Sequence, residues 1–360
     1  MTDRMTLAQI EAYITNIDVS RYAKERNYLG GSTRLSEYIS RGFISLPRVR
    51  NLVLIHNDER TAYKLLSELA WREYWQHTWR VRGDDIFEYI RPLNYEPRPG
   101  MPTAVLEANT GVTALDEGIR ELYDTGYIHN HLRLWIAGLV CNIAKCDWKF
   151  GADWMHSYLI DGDYASNHLS WQWVAGSYTG NAYLPQQDNI NTFTRTVQRN
   201  TYLDYPYEHL ADMKIPPQLQ AITNVRTQHK STPLAATTTL EKLQNSDTLF
   251  MYSPWTLDPL WHKNEPGERI LVMPSEIYKA GAVSQNVLDS IAHYGKSIPE
   301  LKTIYLSSAQ LAELKTHICR KEYPGIVRWP GSVSWPELLY PHIEHTFYAS
   351  FSAFWKQANT

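Results

Sequence analysis

The spacing of the apolar residues changes along the chain, and that change limits the folds open to it. Up to about residue 210 the spacing is helical. In "TAYKLLSELAWREYWQHTWR", Leu65, Leu69, Trp71, Trp75 and Trp79 recur close to the helical period. "TALDEGIRELYDTG" predicts a second helix, with Thr113 placed to cap it, Asp116 and Glu117 in its first turn and Gly126 to end it. "YIHNHLRLWIAGLVCNIAK" and "GADWMHSYLID" predict two more, and "RPLNYEPRPGMP" a long loop. Residues 211–246, rich in Pro, Thr and Gln, read as a linker with room for one helix. From residue 247 the pattern becomes strand-like in "TLFMYS", "RILVMP" and "TIYLSS". The helical stretches there are "SQNVLDSIAHYG" and "SSAQLAELKTHICR", the latter capped by Ser307 or Ser308. Alternating strands and helices predict a small parallel α/β domain over 247–360. It carries no Gly-rich dinucleotide fingerprint, and the chain shows no internal repeat.

The 360 residues are enough for two domains with real cores. A net charge of −3 does not announce a nucleic-acid binder, although one face could still be basic. Three cysteines, Cys141, Cys146 and Cys319, suit a reducing compartment and cannot alone build a four-thiolate cluster. "MTDRMTLAQIEAYITNI" is charged and amphipathic rather than a signal peptide. With no run of 18 apolar residues, the expectation is a cytoplasmic protein.

The stretch "DGDYASNHLSWQW", Asp161 to Trp173, concentrates polar and aromatic chemistry. On a helix, Asn167 and Trp171 are four residues apart and share a face, while Trp173 points roughly the other way. Taken alone, both tryptophans suit a core. "HNHLRL" adds Asn130 and Arg133 at the head of an otherwise apolar helix, where a cation is costly unless paired. Asp161 or Asp163 is its obvious partner. "GGSTRLSEYIS" offers two glycines and the hydroxyls of Ser32, Thr33 and Ser36, suited to an anion at a helix start or to a plain cap. His129 and His131 lack a third metal ligand at a useful spacing and read as polar pocket-rim or surface side chains.

Four runs, in order, resemble the FAD-binding helical domain of the photolyase/cryptochrome family. They are "YAKERNYLGGSTRLSEYISRGFIS", "LLSELAWREYWQH", "TGVTALDEGIRELYDTGYIHNHLRL" and "DWKFGADWMHSYLIDGDYASNHLSWQW", and they cover a little under half of the chain. The resemblance implies a mostly α fold: an all-helical FAD-binding domain over 1–210, then the linker, then a small α/β, Rossmann-like C-terminal domain. It implies a bent FAD whose diphosphate is held by Tyr22, Ser32, Thr33, Arg34, Leu35 and Ser36. Arg72 lies along the cofactor, Arg133 and Asp161 pair beside the flavin ring, Asp163 sits near its polar edge, and Asn167 faces the reactive ring nitrogen. Asn at that position goes with repair, whereas Asp or Cys goes more often with sensing.

The same resemblance implies that Trp171 and Trp148 relay electrons to the flavin. The usual outermost tryptophan aligns with Tyr95, so Tyr95, Trp154 or Trp75 is left to end the relay. Glu68, Trp71, Asn130, Leu134 (where Met is usual) and Trp173 line the lesion pocket. The implied activity is light-driven splitting of cyclobutane pyrimidine dimers in UV-damaged DNA, a substrate flipped out of the stack. The implied alternative is a cryptochrome-like blue-light receptor. The family's α/β antenna domain precedes the helices, whereas here Tyr22 lies close to the start, so no antenna chromophore is expected. The slight acidity points to weak duplex binding or a single-strand preference.

Overall fold

The computed structural model describes residues 4–224 and 228–359. Its main helices are α1 (Leu7–Thr15), α2 (Val19–Glu25), α3 (Ser36–Ser40), α4 (Leu46–Val53), α5 (Glu59–Arg82), α6 (Thr113–Thr125), α7 (Asn130–Gly138), α8 (Trp148–Tyr158), α9 (Tyr164–Ala175), α10 (Gln285–Gly295) and α11 (Phe351–Ala358). Its main strands are β1 (Thr248–Tyr252), β2 (Glu268–Pro274), β3 (Lys302–Leu306), β4 (His317–Lys321) and β5 (Ser332–Ser334). The chain forms two compact units, each gathered from separate segments. One holds Met1–Ile17, Arg34–Ala62 and Gln228–Pro341, and the other Asp18–Thr33, Tyr63–Thr227 and His342–Thr360.

The first unit is built on a five-stranded sheet, ordered β3-β2-β1-β4-β5 and parallel throughout. β1 is central, with Met251 opposite Ile270 on one side and Arg320 on the other. β1 and β2 are buried beyond their first residues, as expected for strands covered on both faces. α10 connects β2 to β3. The early segments join this unit through aromatic packing: Tyr294 of α10 is fully buried, with its ring 5.5 Å from Tyr38 and 4.9 Å from Phe43. The expected helix over 307–320 is a short one, Ser308–Ala312, capped by Ser307, and the chain then extends into β4. Leu311, Leu314 and Ile318 are all buried at spacings of three and four, which imitates a helix; pairing with β1 decides otherwise.

The second unit has an aliphatic and aromatic core drawn mainly from α6 to α9 and the loops around them. α6 buries Leu115, Ile119 and Leu122 along one face and ends at Gly126, whose φ of 73° is costly for a residue bearing a side chain. Val112, rather than Thr113, precedes its first turn. α8 starts at Trp148, earlier than the sequence pattern suggests, with the Asp147 carboxylate accepting from Lys149 N–H. α7 continues into a buried π-helical turn, Leu139–Ile143, and there the Asn142 amide donates to the carbonyls of Val174 and Tyr183. That side chain ties the turn to the end of α9 and to the loop that follows it.

The start of α6 is tied by one buried carboxylate. Asp116 accepts from Thr110 N–H and Oγ1, each at 2.7 Å, and from Gly111 N–H at 3.2 Å. Asp116→Ala strands these donors and should lower stability by about 3 kcal/mol, read as a shift of the urea midpoint at unchanged slope.

Candidate functional site

The site grows from one ion pair inside the second unit. Arg133 Nη2 donates to both carboxylate oxygens of Asp161, at 2.8 and 3.1 Å, and Arg133 Nε donates to the Ile128 carbonyl at 2.9 Å. The Asp161 side chain is 2% exposed and that of Arg133 22%, so the carboxylate is committed while the cation keeps an open edge. The guanidinium also lies 5.8 Å over the Tyr127 ring. Tyr127 Oη hydrogen-bonds Ser32 Oγ at 2.9 Å, linking the serine of the predicted anion loop to the arginine. Tyr127 carries no motif; its role is visible only once the loop and helix are juxtaposed.

Asp161 sits in the turn between α8 and α9, so the pair fixes where α9 begins. Asp163 caps α9 by accepting from Ser166 N–H at 2.7 Å. It also accepts from the Gln76 amide and lies 3.8 Å from Arg72 Nη2. Arg72 and Gln76 are four residues apart on α5 and present one face to it. Farther along α9, Asn167 Nδ2 donates to the Ala152 carbonyl at 2.8 Å and lies 3.4 Å from His168 Nδ1. The amide hydrogens are thereby used within the protein, which leaves Oδ1 to accept.

One turn on, Trp171 is buried against α8. A Cβ on Gly151 would fall 2.2 Å from the Trp171 ring, so glycine is what admits the indole there. Trp148 is three residues before Gly151 and shares its helix face. Trp148 is also buried, and its ring meets that of Tyr89 edge-on at 5.9 Å. Among the other relay residues named from the sequence, Trp154 donates to Tyr123 Oη at 3.3 Å. Trp75 lies 5.4 Å from Trp71, and Tyr95 donates to the Cys141 carbonyl at 2.8 Å.

The predicted diphosphate loop is divided between the units. Tyr22, Ser32 and Thr33 belong to this one, whereas Arg34, Leu35 and Ser36 belong to the other. Burial and then the nearby Glu68 push the Tyr22 phenol pKa upward, keeping it a donor. A Cβ on Gly31 would lie 1.9 Å from the Glu25 carbonyl oxygen, so this glycine serves the close return of the loop over α2. Arg34 is exposed at φ 55°, Leu35 is buried, and Ser36 opens α3.

The predicted lesion residues have unexpected neighbours. Glu68 is ion-paired with Arg26 at 2.6 Å; even so, burial raises its carboxyl pKa more than Arg26 and Lys64 lower it. Trp71, expected to stack on the lesion, is stacked on Phe351 of α11, with centroids 4.0 Å apart and planes at 11°. Asn130 is exposed at the start of α7, and Leu134 and Trp173 are partly buried against the core, Trp173 at 5.9 Å from Tyr183. His129, expected at a surface or rim, is buried: its Nδ1 accepts from His131 N–H and its Nε2 meets the Arg26 carbonyl, each at 3.2 Å. His131 stacks on Phe193 at 5.0 Å. Among the described residues no group of three His, Cys, Asp or Glu could hold a metal.

A flavin presents a planar ring with donors and acceptors on one edge, plus an anionic diphosphate. The residues here match that demand: a cation with an open edge, two buried carboxylates, a free amide oxygen, and hydroxyls on an adjoining loop. Residues 65–214 match the family described as the FAD binding domain of DNA photolyase. Over that segment the chain is similar to the photolyase/cryptochrome family. It is 26% identical over 218 residues to the deoxyribodipyrimidine photo-lyase of Halobacterium salinarum, spanning 57% of this chain and 45% of that protein. It is 30% identical over 232 residues to a chloroplastic/mitochondrial cryptochrome DASH of Oryza sativa, spanning 61% of this chain and 38% of that one. A bacterial class III photolyase of Agrobacterium tumefaciens aligns in structure with a TM-score of 0.44 and 23% identity, over 52% of this chain and 43% of that chain. The chain thus spans less than half the length of these curated relatives.

Two substitutions probe this geometry. Arg133→Ala removes the cation that donates to both oxygens of the buried Asp161 carboxylate and should cost about 3–5 kcal/mol in chemical denaturation. Gly151→Ala forces the Trp171 ring off α8, at about 1–3 kcal/mol, with a shift in tryptophan emission as the ring moves.

Proposed function

We infer that this protein is an FAD-dependent, blue-light-driven enzyme that splits cyclobutane pyrimidine dimers. The observation that carries the reading is the single constellation Arg133–Asp161, Asp163, Asn167 and Trp171, arranged on α7 and α9 of a photolyase-family domain. Bound in its reduced form, FAD would supply the electron that light releases into the lesion. The chain's own residues bind, orient and tune. Ser32, Thr33 and Tyr22 would hold the diphosphate, and Arg72 would lie along the cofactor. The Arg133 cation, steadied by Asp161, favours negative charge on the ring. Asp163 accepts at the polar edge. Asn167 Oδ1 offers an acceptor to a ring N–H, which a reduced ring carries. Trp171 and Trp148 conduct electrons inward. Glu68, Trp71, Asn130, Leu134 and Trp173 would receive the lesion, in single-stranded or duplex DNA. Five parallel strands in the order β3-β2-β1-β4-β5 support a Rossmann-like reading of the α/β unit.

The test is purified protein with reduced FAD, blue light and dimer-containing oligothymidylate. Dimers should disappear only in the light, and Trp171→Phe should abolish photoreduction of oxidised flavin while flavin remains bound. Dimer counts equal to the dark control, in both single and double strands, sink the repair reading.

A second reading, a blue-light receptor of the cryptochrome kind, is favoured by the stack of Phe351 on Trp71. There α11 holds the place that a lesion base would take, and its displacement becomes the signal. Phe351→Ala should raise affinity for the dimer-containing strand by up to about tenfold, since an aromatic pair is worth about 1 kcal/mol. If instead light exposes residues 342–360 to protease and no dimer is split, the receptor reading holds.

A further inference from the structure

Resting on the flavin reading above, we propose that Tyr89, rather than Tyr95, is the outermost electron donor of the aromatic relay, with Asp147 taking its proton. Three observations carry this. The Tyr89 ring meets that of Trp148 at 5.9 Å and 73°, so it lies next in line outward from the buried tryptophan. The indole N–H of Trp148 is buried and has no hydrogen-bond partner among the described residues. An oxidised Trp148 therefore has nowhere to shed its proton, and remains a cation that either takes an electron from farther out or takes back the one it gave. Tyr89 Oη donates to Asp147 Oδ1 at 2.7 Å. Asp147 is only half-buried, so a proton received there can pass to water.

The step balances as follows. Bound oxidised flavin, excited by light, would be the oxidant that draws an electron from Trp148 by way of Trp171; one electron then leaves the Tyr89 ring and fills the hole on Trp148. The Tyr89 O–H bond breaks, an O–H bond forms on Asp147, and a neutral tyrosyl radical remains. The charges around the ring favour this coupling. Lys149 Nζ lies 5.4 Å over Tyr89 and is paired with Glu88. An ammonium there opposes positive charge on the ring, so electron and proton leave together. Burial, and then the Asp147 carboxylate, raise the Tyr89 pKa, so the phenol is protonated until it is oxidised.

Tyr95 lacks the proton acceptor. Its Oη donates to the Cys141 carbonyl at 2.8 Å, an acceptor that cannot take up a proton. The cation does not separate the two rings, since Lys145 Nζ lies 5.2 Å over Tyr95 much as Lys149 lies over Tyr89; the proton acceptor does. The position where the family aligns its outermost tryptophan is thus poorly suited to trap a hole, and a residue six positions earlier is well suited.

The experiment is transient absorption and electron paramagnetic resonance of the flavin-loaded protein after a blue flash. Wild type should give a neutral tyrosyl radical whose formation slows in D2O. Tyr89→Phe should keep its flavin, lose that radical and lower the lasting yield of photoreduction, while Tyr95→Phe leaves all three unchanged. Asp147→Asn keeps the α8 cap and should slow radical formation by on the order of a hundredfold, the low end for a lost proton acceptor. A tyrosyl signal that persists in Tyr89→Phe, or disappears in Tyr95→Phe, overturns the assignment. The flavin-free protein gives an independent readout. When tryptophans are oxidised by azide radicals, growth of tyrosyl absorbance at the expense of tryptophanyl should fall in Tyr89→Phe. A protein that takes up no flavin but shows this fall defeats the proposed function and leaves Tyr89 standing. Normal flavin photoreduction with an unchanged tyrosyl signal in Tyr89→Phe defeats the Tyr89 assignment alone.

Discussion

A guanidinium on an apolar helix has to be matched by a carboxylate, and the match between Arg133 and Asp161 organises everything around it. Leu132, Trp135 and Ile136 on the same helix are buried, so the Arg133 stem leaves an apolar surface and only one edge of its head meets water. Asp161 answers from the turn that launches α9. Since each helical residue advances by a fixed rotation, fixing that turn also fixes Asp163 at the cap, Asn167 one turn on and Trp171 one turn further. Gly151 and Ala152 of α8 then receive the last two, one through absent bulk and the other through a carbonyl. A single electrostatic requirement thus sets the spacing of polar and aromatic groups over most of two helices.

That much was legible in the sequence, because it depends on local periodicity. Charge at the head of an apolar run, carboxylates flanking a glycine and an Asn–Trp pair four residues apart are all short-range patterns. What escaped depends on chain segments far apart in sequence. Tyr127 and Arg26 are ordinary residues until a loop is laid over a helix and Glu68 comes within reach. Tyr89 follows a helix end with no motif around it, and only Asp147, 58 residues on, gives its hydroxyl a role. Strand β4 was read as helix because its buried residues keep helical spacing, and only the partner strand β1 overrules them. The membership of the early segments in the α/β unit was equally hidden, because Tyr38 and Phe43 reveal their partner only through Tyr294.

The contact between Trp71 and Phe351 places two roles on one surface. α5 carries Glu68 and Trp71, which we propose to receive the lesion, yet the chain supplies its own flat ring against Trp71. The covering segment is held by more than one stack: Tyr74 donates to the Tyr348 carbonyl at 2.8 Å, and His77 meets the Thr346 carbonyl at 2.8 Å. Any ligand for Trp71 competes with several modest contacts rather than with one strong one, and such an arrangement can be tuned by small changes in either partner.

The interleaving of the two units bears on how the chain is made. Tyr38 and Phe43 emerge from the ribosome long before α10, the element that covers them. At ordinary rates of synthesis the interval is on the order of tens of seconds. Until Tyr294 appears, an aromatic surface waits without its cover while the helices of the other unit can already assemble. Nascent chains of this protein therefore have a built-in period of vulnerability, and slow translation or scarce chaperones would be felt first at these early segments.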